Sequence, residues 1–156
     1  PLFIRLLFRR GLGGFRCQRF GNFISDPFNG GGFINTSKAT LTNALAPYAK
    51  RRKIKLIERS QLSELGNANG PQRTEKVVHD LVEDGRSVVL CTHRPALPTI
   101  VDAIAGYGNA AQAATLQATL ALAPGDMTVI HMTREKAGIK RRIVSVETYT
   151  PGPPAN

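Results

Sequence analysis

The sequence predicts a three-layer α/β domain in which strands alternate with helices. Three observations predict it. Apolar residues from position 36 onward alternate between helical spacing and short continuous runs. Residues 86–92 (RSVVLCT) form an apolar run bounded by turn residues, the pattern of a strand buried on both faces. Proline and glycine fall where helices should begin and end.

The elements follow in order. Residues 2–8 can form a first strand. Thr36 or Ser37 can cap a helix whose apolar positions are Leu41, Leu45 and Tyr48/Ala49, with Pro47 kinking or ending it. Residues 54–59 read as a short strand. Gly70-Pro71 opens a second helix with Val77, Val78, Leu81 and Val82 on one face, and Gly85 ends it. The buried run 86–92 comes next, then a turn at His93-Arg94-Pro95. Pro98 opens a helix through Ile104, which Gly106 and Gly108 stop. An alanine-rich stretch, 110–121, predicts another helix. Residues 127–133 and 141–149 predict two strands joined by a charged loop containing Gly138. The proline-rich tail 151–156 is expected to be disordered.

Composition narrows the function. The chain has 156 residues, 42% hydrophobic and 21% charged, which suits one domain with a core of its own. No apolar stretch is long enough to span a bilayer. Cys17 and Cys91 lie far apart and give neither a disulfide framework nor a zinc site, so a reducing, cytoplasmic setting is expected. His79, His93 and His131 show no metal-ligand spacing, and no cofactor is expected. The net charge of +10 suits nucleic acid, a phosphate pocket, or a charge excess with no function.

The charge is unevenly placed. Residues 1–25 hold five arginines and no acid. All seven phenylalanines lie between Phe3 and Phe33, and the first lysine is Lys38. Residues 1–33 therefore form an atypical basic, Phe- and Gly-rich segment, residues 34–150 the domain, and residues 151–156 the tail. Four readings of the first segment compete. A secretory signal fits poorly, because Arg5 interrupts the apolar run. An aromatic, basic arm could grip phosphates and stack on bases. A native first strand is the third reading. The fourth is an artefact, such as a misread frame or a foreign start.

Ligands of open α/β sheets bind where strands end, and His93 stands at the end of the buried run. A histidine there can give or take a proton, or bind phosphate oxygens. It can equally be a hydrogen-bonded structural residue. Cys91 reads as a small core residue, since the loop after it lacks the glycines of a phosphate-cradling cysteine loop. His131 reads as structural. The KRRKIK run at residues 50–55 reads as the charged end of a helix. Gly11-Leu12-Gly13-Gly14 fits no dinucleotide fingerprint.

The string Leu90-Cys91-Thr92-His93-Arg94-Pro95-Ala96-Leu97-Pro98 resembles the CTHRPxLP segment of the histidine-phosphatase domain joined to actinobacterial MutT-like Nudix hydrolases. Leu45-Ala46-Pro47-Tyr48-Ala49 resembles that family's TLxPYA helix, and Leu62-Ser63-Glu64 with Gly66 its acidic loop. Residues 122–126, with Val129-Ile130-His131 and Val144-Ser145-Val146-Glu147, resemble its closing hairpin. The resemblance covers residues 34–150. It implies a three-layer α/β/α domain with a mixed, mostly parallel sheet, incomplete at its N-terminus, with an upstream Nudix domain in the intact parent. It implies phosphoryl transfer to a histidine followed by hydrolysis, with a nucleotide or another phosphorylated small molecule as substrate.

Residue by residue, the resemblance makes His93 the second histidine around the phosphoryl group and Glu64 the acid that protonates the leaving group. Thr92 and Arg94 flank the phosphate. The family's nucleophile, in an Arg-His-Gly or Arg-His-Ala motif, has no counterpart: the sequence contains no Arg-His pair. Arg10 stands nearest, and an arginine, always protonated, cannot attack phosphorus. The family's second arginine should fall near Thr40, yet residues 35–49 contain none. The sequence thus predicts a phosphatase-like domain without turnover. The alternatives are a non-catalytic phosphate- or protein-binding module, and a basic nucleic-acid-binding protein using residues 1–33.

Overall fold

The computed structural model describes residues 2–9, 32–35, 46, 49–51, 53, 55–123, 125–133 and 140–150. Strands and helices are mixed, as the α/β class requires. The described strands are β1 (Leu2–Arg9), β2 (Gly32–Asn35), β3 (Lys55–Glu58), β4 (Val88–Thr92), β5 (Met127–Thr133) and β6 (Ile143–Tyr149). The described helices are α1 (Glu64–Ala68), α2 (Pro71–Asp84), α3 (Leu97–Ala105) and α4 (Ala110–Ala118). Short 3-10 turns cover Ser60–Leu62, Arg94–Ala96 and Thr119–Ala121.

The strands form one six-stranded sheet in the order β3-β2-β4-β1-β5-β6. β2 runs parallel to both β3 and β4. β1 lies antiparallel to β4 and parallel to β5, and β6 is antiparallel to β5. The register sets the two ends of the sheet. Thr92 faces Leu2, and Phe3 faces Met127, so these share one rim. Val88 faces Leu6 and Gly32, and Met132 faces Ile143, toward the other end.

Burial follows strand alternation. Ile4, Leu6, Val88, Leu90, Ile130 and Met132 point into one core with Val78 and Val82 of α2, Leu97, Ile100, Val101 and Ile104 of α3, and Leu116 of α4. Val89, Cys91 and Val129, which alternate with them, are buried as well.

Most elements lie where the sequence places them. α2 starts with Pro71 in its first turn and stops at Gly85, whose φ of 65° is left-handed and suits glycine. α4 starts at a capping box, with the Asn109 side chain accepting from the Gln112 N–H and the Gln112 side chain accepting from the Asn109 N–H. β3 and β6 begin at Lys55 and Ile143, inside their expected spans. Residues 110–121 divide into α4 and a 3-10 turn.

Two points differ from expectation. The boundary expected at residue 33 falls inside β2, whereas the first strand read at residues 2–8 is present as β1, an inner strand with Ile4 and Leu6 buried in the common core. The segment after Leu62 is a short helix rather than a loop, because Ser63 caps it by accepting from the Gly66 N–H at 3.0 Å. Of the helix expected from Thr36, Ala46, Ala49, Lys50 and Arg51 are helical. The remainder lies outside the described residues, as do Arg10, Thr40, the charged loop around Gly138 and the tail.

Candidate functional site

β3, β2 and β4 run parallel, so Glu58, Asn35 and Thr92 end at one rim of the sheet. The chain that leaves β3 makes the 3-10 turn Ser60–Leu62 and then α1, which starts at Glu64. The chain that leaves β4 passes through His93 into the 3-10 turn Arg94–Ala96. Carboxyl ends of parallel strands are where α/β sheets place ligands.

Two hydrogen bonds join these segments. The buried Thr92 hydroxyl donates to the Leu62 carbonyl at 3.0 Å. Asn67 Nδ2 of α1 donates to the Pro95 carbonyl at 3.5 Å. The structure thus brings together the segments carrying His93 and Glu64, 29 positions apart in sequence. Both residues are exposed at this rim. Close packing fixes the Glu64 segment further: a methyl group on Gly66 would collide with the Ser60 carbonyl. Thr74 Oγ1 of α2 holds the same turn from the other side, donating to the Gln61 carbonyl at 2.6 Å.

The remaining expected residues have defined positions. Thr92 is a correction: its one hydroxyl proton is committed to Leu62 and its side chain is buried, so it positions the turn rather than binding phosphate. Arg94 is exposed, and its Nη2 donates to the Leu122 carbonyl at 2.9 Å, tying the turn to the approach to β5. The guanidinium carries five N–H donors, so this bond leaves it able to take part in an anion site. Cys91 is fully buried, and burial pushes its thiol up to about 12, as suits an inert core residue. His131 Nε2 lies 3.3 Å from Glu147 Oε1 across the β5–β6 hairpin, with only 13% of the His131 side chain exposed. That arrangement matches its expected structural role. Among the described residues, no cluster of His, Cys, Asp and Glu could hold a metal ion.

The sequence reading missed a second constellation at the opposite end of the sheet. His79 and Glu83 lie four residues apart on α2, on one helix face. Tyr107, just after α3, bridges them: its hydroxyl donates to Glu83 Oε1 at 3.3 Å and lies 2.8 Å from His79 Nδ1. A phenol has one proton, so His79 must donate from Nδ1 when Tyr107 donates to Glu83. Burial, and then the Glu83 carboxylate, raise the Tyr107 pKa. A cavity of about 900 Å³ opens beside this chain, reaching Arg141 and the start of β6. The i,i+4 pair of His79 and Glu83 was visible in the sequence, but nothing there placed Tyr107 between them.

No helix among the described residues is long and apolar enough to cross a membrane. Compared with known proteins, the chain matches no family model and no curated protein sequence.

Proposed function

We propose that this chain is a histidine-phosphatase-like domain that binds a phosphorylated ligand, a nucleotide or a similar small molecule, at the rim carrying His93 and Glu64. One observation carries this reading: the Thr92–Leu62 hydrogen bond holds the turn after β4 against the segment that presents Glu64. In the proposed arrangement His93 donates a hydrogen bond to a phosphate oxygen, and Arg94 adds positive charge. In the same reading Glu64 is the acid that would protonate a leaving group. Burial on both faces of the sheet supports a three-layer α/β/α arrangement.

The reaction itself needs a nucleophile. The three histidines are His79, His93 and His131. His79 and Glu83 lie toward the opposite end of the sheet, and His131 is enclosed in the hairpin. None follows an arginine. Loss of a nucleophile removes several orders of magnitude of rate even when its helpers remain. The proposed function is therefore binding without turnover, in a lineage whose complete members hydrolyse nucleotide phosphates. In that lineage an upstream Nudix domain and a cytoplasmic setting belong to the intact parent.

The test is a phosphate-release assay on nucleoside mono-, di- and triphosphates, together with calorimetric binding. The expected result is no release above the blank, and nucleotide binding that weakens in His93→Ala. Phosphate release that disappears in both His93→Ala and Glu64→Gln would overturn the absence of turnover. Nucleotide binding indifferent to His93→Ala would overturn the site.

A further inference from the structure

We propose that the cavity at the far end of the sheet is a second binding site, for a small phosphorylated molecule held by Lys140 and Arg142. Its organic body would rest against Tyr107 and Ile143. This proposal is independent of the reading at His93. The register separates the two places: Thr92 ends β4 at one rim, while Ile143 begins β6 toward the other.

Size comes first. A cavity of about 900 Å³ far exceeds what a bare phosphate ion fills, and it falls in the range of pockets for organic ligands.

Charge comes second. The described lining includes three cations, Lys140, Arg141 and Arg142, against one carboxylate, Glu83. That carboxylate already accepts from Tyr107 at 3.3 Å and lies 3.9 Å from Arg141 Nε. The excess is cationic, and the whole chain's net charge of +10 favours an anion at longer range.

The three cations divide the work. Arg141 has 8% of its side chain exposed, and its Nη2 donates to the Glu83 carbonyl in the last turn of α2. It braces the wall, its charge placed favourably against a helix C-terminus. Lys140 and Arg142 are exposed on either side of it. Arg142 is fixed through its backbone, whose N–H donates to Thr133 Oγ1 at 2.9 Å and whose carbonyl accepts from the Thr133 N–H at 2.8 Å. An arginine fork beside a lysine point charge is suited to phosphate. Tyr107 and Ile143 supply the apolar wall that an organic body needs.

The experiment titrates the full chain carrying His93→Ala, so that binding at the rim does not contribute. The probes are adenosine 5'-monophosphate, adenosine and inorganic phosphate, followed by calorimetry. The monophosphate should bind more tightly than either half alone. Adding Lys140→Ala and Arg142→Ala should weaken it by about tenfold or more, the scale of a lost charge-assisted hydrogen bond. Tyr107→Leu should weaken the monophosphate and leave inorganic phosphate unchanged. Both cation variants replace exposed side chains, and unchanged melting temperatures verify their folds. No monophosphate binding in the His93→Ala chain, or binding indifferent to the two alanines, overturns the proposal.

Discussion

The Thr92 hydroxyl donates to the Leu62 carbonyl inside the protein, joining the last residue of β4 to the turn that leads into Glu64. This bond spans 30 positions of sequence and sets how the two rim segments meet. Thr92→Val keeps the shape but leaves the Leu62 carbonyl buried without its partner. The expected loss is about 1–3 kcal/mol, the cost of an unsatisfied buried polar group. Thr92→Ser keeps the hydroxyl and should recover most of it. Urea unfolding of the three chains checks the order wild type, Ser, Val.

Gly66 and Gly106 should respond in opposite directions to the same substitution. A methyl group on Gly66 meets the Ser60 carbonyl and the Gln61 Cα, both backbone atoms that cannot swing aside. Gly66→Ala should cost about 1–3 kcal/mol, as overpacking does. At Gly106 φ is −58° and the nearest atom, the Ala103 carbonyl oxygen, is 3.7 Å away. Gly106→Ala should therefore stabilise by about 0.4–1 kcal/mol, through the unfolded chain. Thermal unfolding of both variants measures the difference.

Local rules made much of the fold legible. Pro71 and Gly85 bracket α2, and the run ending at Thr92 is β4, because these depend on backbone preferences and on continuous burial. β2 was not legible: three consecutive glycines carry no strand pattern, and Gly32 enters β2 through its pairing with β3 and β4. The place of β1 was undecided for a different reason. Its position between β4 and β5 is a long-range choice, made by burying Ile4 and Leu6. At the candidate site, His93 could be read from its place after a strand. The commitment of Thr92 to Leu62 could not, because hydroxyl partners are set by tertiary approach.

Cys91 should be chemically silent until the protein unfolds. Its thiol is fully buried and pushed up from 9.0 to about 12, chiefly by desolvation. Iodoacetamide at pH 8, followed by peptide mass spectrometry, should leave Cys91 unlabelled in the native chain and label it in urea. The sign of the pH effect follows from linkage. Above pH 9 the unfolded thiol loses its proton while the folded one keeps it, so the unfolded state binds fewer protons. Stability from this group is complete below pH 9 and declines as pH rises toward 12. Urea midpoints at pH 8 and pH 10.5 should fall in that order, and Cys91→Ala should flatten the decline.

Gln112 serves two elements at once. Its Oε1 accepts from the Asn109 N–H at 2.9 Å, completing the cap of α4. Its Nε2 donates to the Ile143 carbonyl at 3.0 Å and the Val144 carbonyl at 3.3 Å, fastening the helix to the start of β6. Glutamate at this position keeps the capping acceptor and suits the helix N-terminus, and by helix rules alone it should stabilise. Tertiary context reverses that: a carboxylate has no donor, and it would face two carbonyl oxygens. Gln112→Glu should therefore destabilise at neutral pH by about 1–2 kcal/mol, and less in acid, where the protonated carboxyl can donate again. Gln112→Ala loses both sets of bonds and should show no such recovery. Urea unfolding at pH 7 and pH 4, taken as the difference between the two variants, separates the tie to β6 from the cap.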